Sequence, residues 1–173
     1  DTGWVFLTHR VGGQYISDSS RLLQSKFNFT GKVDEPSLYY LNLSGSPQEL
    51  DFFVENTDMN IVASVDSLSK AYVTGSVSQD QFYNYKNQMK PFGDSLKALY
   101  KAYEIAERNS TLKQKEDSFD KAADKIDSLQ TETIKSFVKN NPHSVVGVWA
   151  VTSSSLIYDA DPVVLGSLYD SLD

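Results

Sequence analysis

Between Ser78 and Asn140 the sequence carries two successive helical stripes joined by one short break, and a chain with that feature has to bury one stripe against the other. In the first, Phe82, Tyr85, Met89, Phe92, Leu96, Leu99, Tyr103 and Ala106 recur at alternating spacings of three and four, which is a narrow apolar helical face. In the second, Leu112, Phe119, Ile126 and Thr133 fall seven apart, with Ala122, Leu129 and Phe137 filling the intervening turns. Two such helices with a short connection close as an antiparallel hairpin. Ser78 is the expected N-cap of the first helix, with Asp80 near the positive end of the dipole. Pro91 and Gly93 predict a kink or break before the register resumes at Leu96. Asn109 ends this helix, Thr111 and Gln114 have capping-box spacing for the second, and Asn140-Asn141-Pro142 stops it.

Upstream of the hairpin, short β-rich runs alternate with turn residues. Trp4 to Thr8 precedes Gly12-Gly13, and Lys26 to Val33 alternates strictly, placing Phe27, Phe29 and Val33 on one face and Asn28, Thr30 and Lys32 on the other. Such alternation predicts a half-buried strand. Further strands are expected at Leu38 to Leu43, Leu50 to Glu55, Asn60 to Val65 and Tyr72 to Gly75, with connections of hairpin length. Downstream, Ser144 can cap a buried third helix over 144–154, and Asp161-Pro162 can open a last one over 161–172. The fold class read from this pattern is α+β: an antiparallel β-meander, folded as a small sandwich or open barrel, over 1–77, then a helical region over 78–173 with its hairpin at 78–140 and two short helices.

A net charge of −7 argues against nucleic acid as a main partner, because phosphate recognition needs clustered Lys and Arg. No run of apolar residues is long enough for a membrane span, so any membrane attachment is expected to come from an anchor outside this chain. The start at Asp1 without Met suggests a processed or trimmed beginning. An apolar helix reaching Asp173 without a stop signal suggests a parent polypeptide that continues. The chain has no cysteine and therefore no thiol chemistry of its own.

No residue pattern amounts to a catalytic motif. Asp117, Asp120, Asp124 and Asp127 form a carboxylate row that could interest a hard cation. They lie roughly opposite the apolar stripe, among Lys113 and Lys121, and read better as a solvated face. His9 and His143 lack partners at metal-ligand spacing, and Gly12-Gly13 has none of the residues of a phosphate loop. Neither cofactor nor metal is expected. Tyr39, Tyr40, Tyr72, Tyr83, Tyr100 and Tyr103 could line a groove for a peptide or glycan, although half-buried strand and hairpin tyrosines fit packing better.

Several stretches occur in a telling order: Phe27-Asn28-Phe29-Thr30-Gly31-Lys32-Val33 with Pro36, Phe52-Phe53-Val54-Glu55-Asn56 with Asn60-Ile61, Val73-Thr74-Gly75-Ser76 running into Phe82, and Phe137-Val138-Lys139-Asn140-Asn141-Pro142-His143-Ser144 leading into Val146. Together, over about Trp4 to Ala150, they resemble the N-terminal accessory region that precedes a thioredoxin-like module in bacterial envelope thiol-disulfide oxidoreductases of the alkyl-hydroperoxide-reductase/thiol-specific-antioxidant superfamily. Three departures accompany the resemblance. Thr57-Asp58 stands where such proteins have a glycine, a first strand is missing ahead of Trp4, and the Cys-x-x-Cys module is absent, so the family's catalytic residues map onto no position here. The resemblance implies a non-catalytic accessory domain in the periplasm or cell envelope, lipid-anchored, whose partner is the thioredoxin-like domain downstream in the same polypeptide. A further protein partner or a homodimer would dock on the hairpin, for which Tyr85, Phe92, Leu99 and Tyr103 are the candidate surface.

Overall fold

Gly12 and Gly13 both take positive φ, 55° and 86°, the pair of left-handed positions that a type I′ turn demands and that glycine adopts without strain. The chain therefore reverses in two residues, and β1 (Thr2–Val11) pairs along its whole length with β2 (Gln14–Leu23). In this computed structural model, which describes residues 2–154, 156 and 162–172, the chain divides into two compact units, Asp1–Phe82 and Tyr83–Asp173.

The first unit is built on a four-stranded antiparallel sheet in the order β2-β1-β3-β4. Strand β3 (Ser37–Leu43) pairs with β1 from Val5 to His9, and β4 (Glu49–Val54) pairs with β3. Directly opposite residues share a face, so Leu7, Leu41 and Leu50 form one row and His9, Tyr39 and Phe52 the next. Val5, Tyr39, Leu41, Leu50 and Phe52 on that face are all buried. A separate ribbon of β5 (Asn60–Val62) and β6 (Tyr72–Thr74) flanks a 3-10 turn at Val65–Lys70 that buries Leu68.

Two features depart from the strand pattern expected of the sequence. Strand β2 was not foreseen, because Gln-Tyr-Ile-Ser-Asp-Ser-Ser-Arg has little β-branched or apolar character; its pairing comes from the turn and from β1. Conversely, the alternating run at 27–33 joins no ladder. Leu23 and Lys26 exchange main-chain hydrogen bonds at 2.9 Å across Gln24 and Ser25, which both take positive φ, and beyond Lys26 no strand continues. Phe27, Phe29 and Val33 are nevertheless half-buried while their neighbours are exposed. The periodicity reported the face correctly and the pairing wrongly.

Helix α1 (Val77–Arg108) starts in the first unit and continues into the second without a break at Pro91. A break does not occur there: Pro91 and Asn87, whose carbonyl loses its helical donor to the proline, are both exposed, so water can take that donor's place. The Ser95 hydroxyl donates to the Pro91 carbonyl at 2.8 Å. The N-cap is Ser76 rather than Ser78: its hydroxyl accepts from the Gln79 N–H at 3.0 Å and its carbonyl from the Asp80 N–H at 3.1 Å.

In the second unit, α1 and α2 (Leu112–Asn140) form the antiparallel hairpin. Tyr85 meets Phe137 with ring centroids 5.2 Å apart, and Tyr103 meets Phe119 at 5.5 Å, so an early residue of one helix faces a late residue of the other at both ends. The connection differs from the expected capping box. The Thr111 N–H bonds the Ala106 carbonyl and the Ser110 N–H bonds the Glu107 carbonyl, a Schellman closure with Ser110 at the left-handed position, φ 57°. Thr111 is still the N-cap residue of α2, its carbonyl accepting from the Gln114 N–H at 3.1 Å, but its hydroxyl is turned back to α1, donating to the Ala106 carbonyl at 3.3 Å, and makes no capping bond to α2. Because a left-handed serine costs about 1 kcal/mol that glycine avoids, Ser110→Gly should stabilise the chain by roughly that amount, read as an upward shift of the urea midpoint at unchanged slope.

Helix α3 (Val145–Thr152) begins at the expected cap, with the Ser144 hydroxyl accepting from the Gly147 N–H at 3.1 Å. Val146, Ala150 and Val151 are fully buried, and Gly147 leaves room for Leu172. Helix α4 (Pro162–Tyr169) buries Leu168; Asp161, the residue expected to cap it, lies outside the described residues.

Candidate functional site

A cleft of about 900 Å³ opens in the first unit over the buried face of the sheet. Its floor is Leu7, Tyr39, Leu41 and Phe52, contributed by three adjacent strands, and its walls are the extended segment at 26–33 and the segment at 55–61 that runs into β5. Phe27 and Phe29 meet edge to face at 6.0 Å on one wall. His9 stacks on Tyr39 at 4.4 Å, which follows from their facing positions in β1 and β3. Burial raises the Tyr39 hydroxyl above its ordinary pKa, with the nearby Asp18 carboxylate pushing the same way. The phenol is a poor proton donor to solvent and a good neutral hydrogen-bonding group.

The cleft keeps its shape because two residues after β4 tie its walls to the rest of the unit. Asn56 takes the place of a β-partner for Val33: its Oδ1 accepts from the Val33 N–H at 2.9 Å and its Nδ2 donates to the Val33 carbonyl at 2.7 Å. Glu55 holds the start of α1. Its carboxylate accepts from the Val77 N–H at 2.7 Å, from the Ser78 hydroxyl at 2.7 Å and from the Ser78 N–H at 3.3 Å. Burial pushes the Glu55 carboxyl up, but the hydrogen bonds from Ser78, Val77 and Ser76 outweigh it and hold the group below the ordinary 4.5. A helix N-terminus favours the anion further.

Gln79 joins the same corner. It is wholly buried, and its Oε1 accepts from the Phe53 N–H at 2.8 Å while Phe53 stacks edge to face with Phe82 at 5.2 Å. Gly75, at φ 95°, passes so close to the Asp58 carbonyl that a Cβ would strike its oxygen, and its own carbonyl accepts from the Thr57 hydroxyl at 2.6 Å. None of these anchors was singled out by composition or periodicity. Ser76 and Gln79 do carry the spacing of a capping box, and Glu55, Asn56, Gly75 and Ser76 lie in the stretches that carry the family resemblance.

The residues considered for chemistry from the sequence are scattered. Asp117, Asp120, Asp124 and Asp127 are all exposed on α2, and among the described residues no three His, Asp or Glu side chains gather as a metal site requires. Of the six tyrosines considered for a groove, only Tyr39 lines the cleft; Tyr72 and Tyr100 are exposed on other elements. Of the four expected to offer a partner surface, Phe92 and Leu99 are half-buried and Tyr103 is 41% exposed against Phe119. Tyr85 is buried, packed between Phe137 and Trp149, and so is withdrawn from that surface.

The depressed Glu55 carboxyl gives a pH prediction. A group whose native pKa lies below its unfolded value stabilises the fold above the unfolded value and loses that contribution as pH falls through the native one. The stability difference between the native chain and Glu55→Gln should therefore be full at neutral pH and shrink below about pH 4.5, as measured by urea titrations at a series of pH values. A difference that is constant with pH would remove Glu55 from this role.

Residues 1–82 match the family model of a domain of unknown function, DUF4369. No curated protein and no solved structure matches the chain. Among the described residues, no helix is long and apolar enough to cross a membrane.

Proposed function

We propose that this chain is a non-catalytic accessory domain that positions, dimerises or supplies partners to a thioredoxin-like thiol-disulfide oxidoreductase module following it in the same polypeptide, in a lipid-anchored protein of the bacterial periplasm. The observation that carries the reading is the employment of the residues that bear the envelope-family resemblance. Asn56 clamps Val33, Glu55 clamps the start of α1, Gly75 makes room for Asp58, and Ser76 caps α1. These residues hold one stretch of backbone against another and are thereby committed to a rigid joint, which suits a positioning role better than a reaction.

Reading the gene beyond the codon for Asp173 tests this first: a Cys-x-x-Cys motif is expected within the roughly 100–150 residues of a following domain, and its absence sinks the proposal. If it is present, the full-length protein should reduce a small model disulfide equally well with or without Asn56→Ala, while its turnover of a protein partner falls in the variant.

One observation favours a second reading, a peptide- or glycan-binding module. The cleft combines Phe27, Phe29 and Tyr39 with amide and carboxylate groups at its rim, as ligand sites do. Titration of the chain with peptides and oligosaccharides, followed by loss of the signal in Phe27→Ala, distinguishes the two.

A further inference from the structure

Leu23 and Lys26 exchange main-chain hydrogen bonds across Gln24 and Ser25, whose φ values of 50° and 61° are those of a type I′ hairpin turn. Neither residue is glycine, so both carry the strain of the left-handed region. A turn of this kind sets two strands side by side, yet this one is followed by a single rung. In the register it fixes, bonded pairs recur every two residues, so Arg21 comes opposite Asn28 and Ser19 opposite Thr30. The Asn28 N–H instead stops on the Ser20 hydroxyl at 3.3 Å, rather than on the Arg21 carbonyl.

The main-chain groups for a longer ladder are present on both sides. At the Gly12-Gly13 turn the flanking pair Val11 and Gln14 bonds inward, which directs the main-chain groups of Ser17, Ser19 and Arg21 away from β1. Among the described residues nothing bonds those groups, nor the main chain of Phe29, Thr30, Gly31 and Lys32. The faces agree as well. In that register Phe27 comes opposite Leu22 and Phe29 opposite Ser20, and Ser20 is already opposite the buried Val5. Zipping therefore keeps both phenylalanine rings on the cleft side of the sheet.

We propose that residues 26–30 are a strap with two positions: standing off β2 as a wall of the cleft, the position in this structure, and zipped onto β2 as a short fifth strand through the Arg21–Asn28 and Ser19–Thr30 pairs. The turn at Gln24 and Ser25 is its preformed hinge. Asn56, which holds both main-chain groups of Val33, is its fixed end and stops the zip short of Lys32. Asp18 and Ser19 line the cleft together with the strap, so closure narrows the cleft from that side, and a ligand entering there has to hold the strap open. The second position uses only this chain's own residues, so its test needs neither a ligand nor a redox module and is independent of both functional readings.

Amide hydrogen exchange of the full chain, read residue by residue by NMR, separates the two positions. Ser19, Arg21 and Thr30 should exchange at least about fivefold more slowly than an unstructured peptide, and Tyr15, outward on the same edge but past the strap's reach, at nearly the peptide rate. Thr30→Pro removes the donor of one rung at an exposed residue whose N–H has no partner in the open position. It should return Ser19 and Arg21 to the rate of Tyr15, while Asp18 and Ser20, bonded to β1, keep their protection. Ser20→Ala deletes the hydroxyl that holds Asn28 away, and should raise the protection of Ser19 and Thr30 at least about twofold. Ser19 and Thr30 exchanging as fast as Tyr15 in the native chain, protection that survives Thr30→Pro, or protection unchanged by Ser20→Ala would each overturn the proposal.

Discussion

Gly75→Ala is expected to destabilise the first unit by about 3 kcal/mol or more, because two penalties coincide at one atom. At φ 95° any L-residue is strained, and the added methyl group would also collide with the Asp58 carbonyl, a backbone atom that cannot swing aside as a side chain could. Asparagine, which tolerates positive φ better than alanine, should not rescue the position, since its Cβ meets the same oxygen. Urea titration monitored by far-ultraviolet circular dichroism reads the loss. A change below about 1 kcal/mol would mean that the loop at Asp58 gives way easily.

The second large effect lies in the helical unit. Phe137 is 2% exposed and stands edge to face with Tyr85, which in turn meets Trp149 at 5.7 Å. Phe137→Ala should cost about 3–5 kcal/mol, the transfer of the ring plus the cavity left behind. Phe137→Leu should cost about 1–2 kcal/mol, because it refills most of the volume and loses only the ring geometry. An independent readout is available in the neighbouring phenol. Burial pushes the Tyr85 hydroxyl up to about 12, so water entering the cavity of the alanine variant should return it toward 10, seen by ultraviolet titration.

The elements written in apolar periodicity were the legible ones. Strands β3, β4 and β6 and both long helices were foreseen because their own side chains state which face is buried, and the α+β class follows from their order. Strand β2 was invisible because its pairing is imposed by a glycine turn and by β1. The run at 27–33 misled because a side-chain amide, that of Asn56, replaces the neighbouring strand that alternation normally implies. Pro91 and Thr111 misled for a related reason: an exposed carbonyl can turn to water, and a hydroxyl placed to start one helix was taken by the end of the one before. The cleft could not be read at all. Its walls depend on contacts between residues more than twenty positions apart, Val33 with Asn56 and Glu55 with Val77, and spacing along the chain carries no trace of them.

The grip of the sheet on the first turns of α1 bears on how this polypeptide can be divided. The last strand of the first unit ends at Thr74, yet the unit itself runs to Phe82. A proteolytic nick or genetic cut just after the strand would take Val77, Ser78, Gln79 and Phe82 away from Glu55 and Phe53. The sheet would keep every strand and lose part of its core. The smallest heritable piece of this architecture is therefore a sheet that carries its own stub of helix.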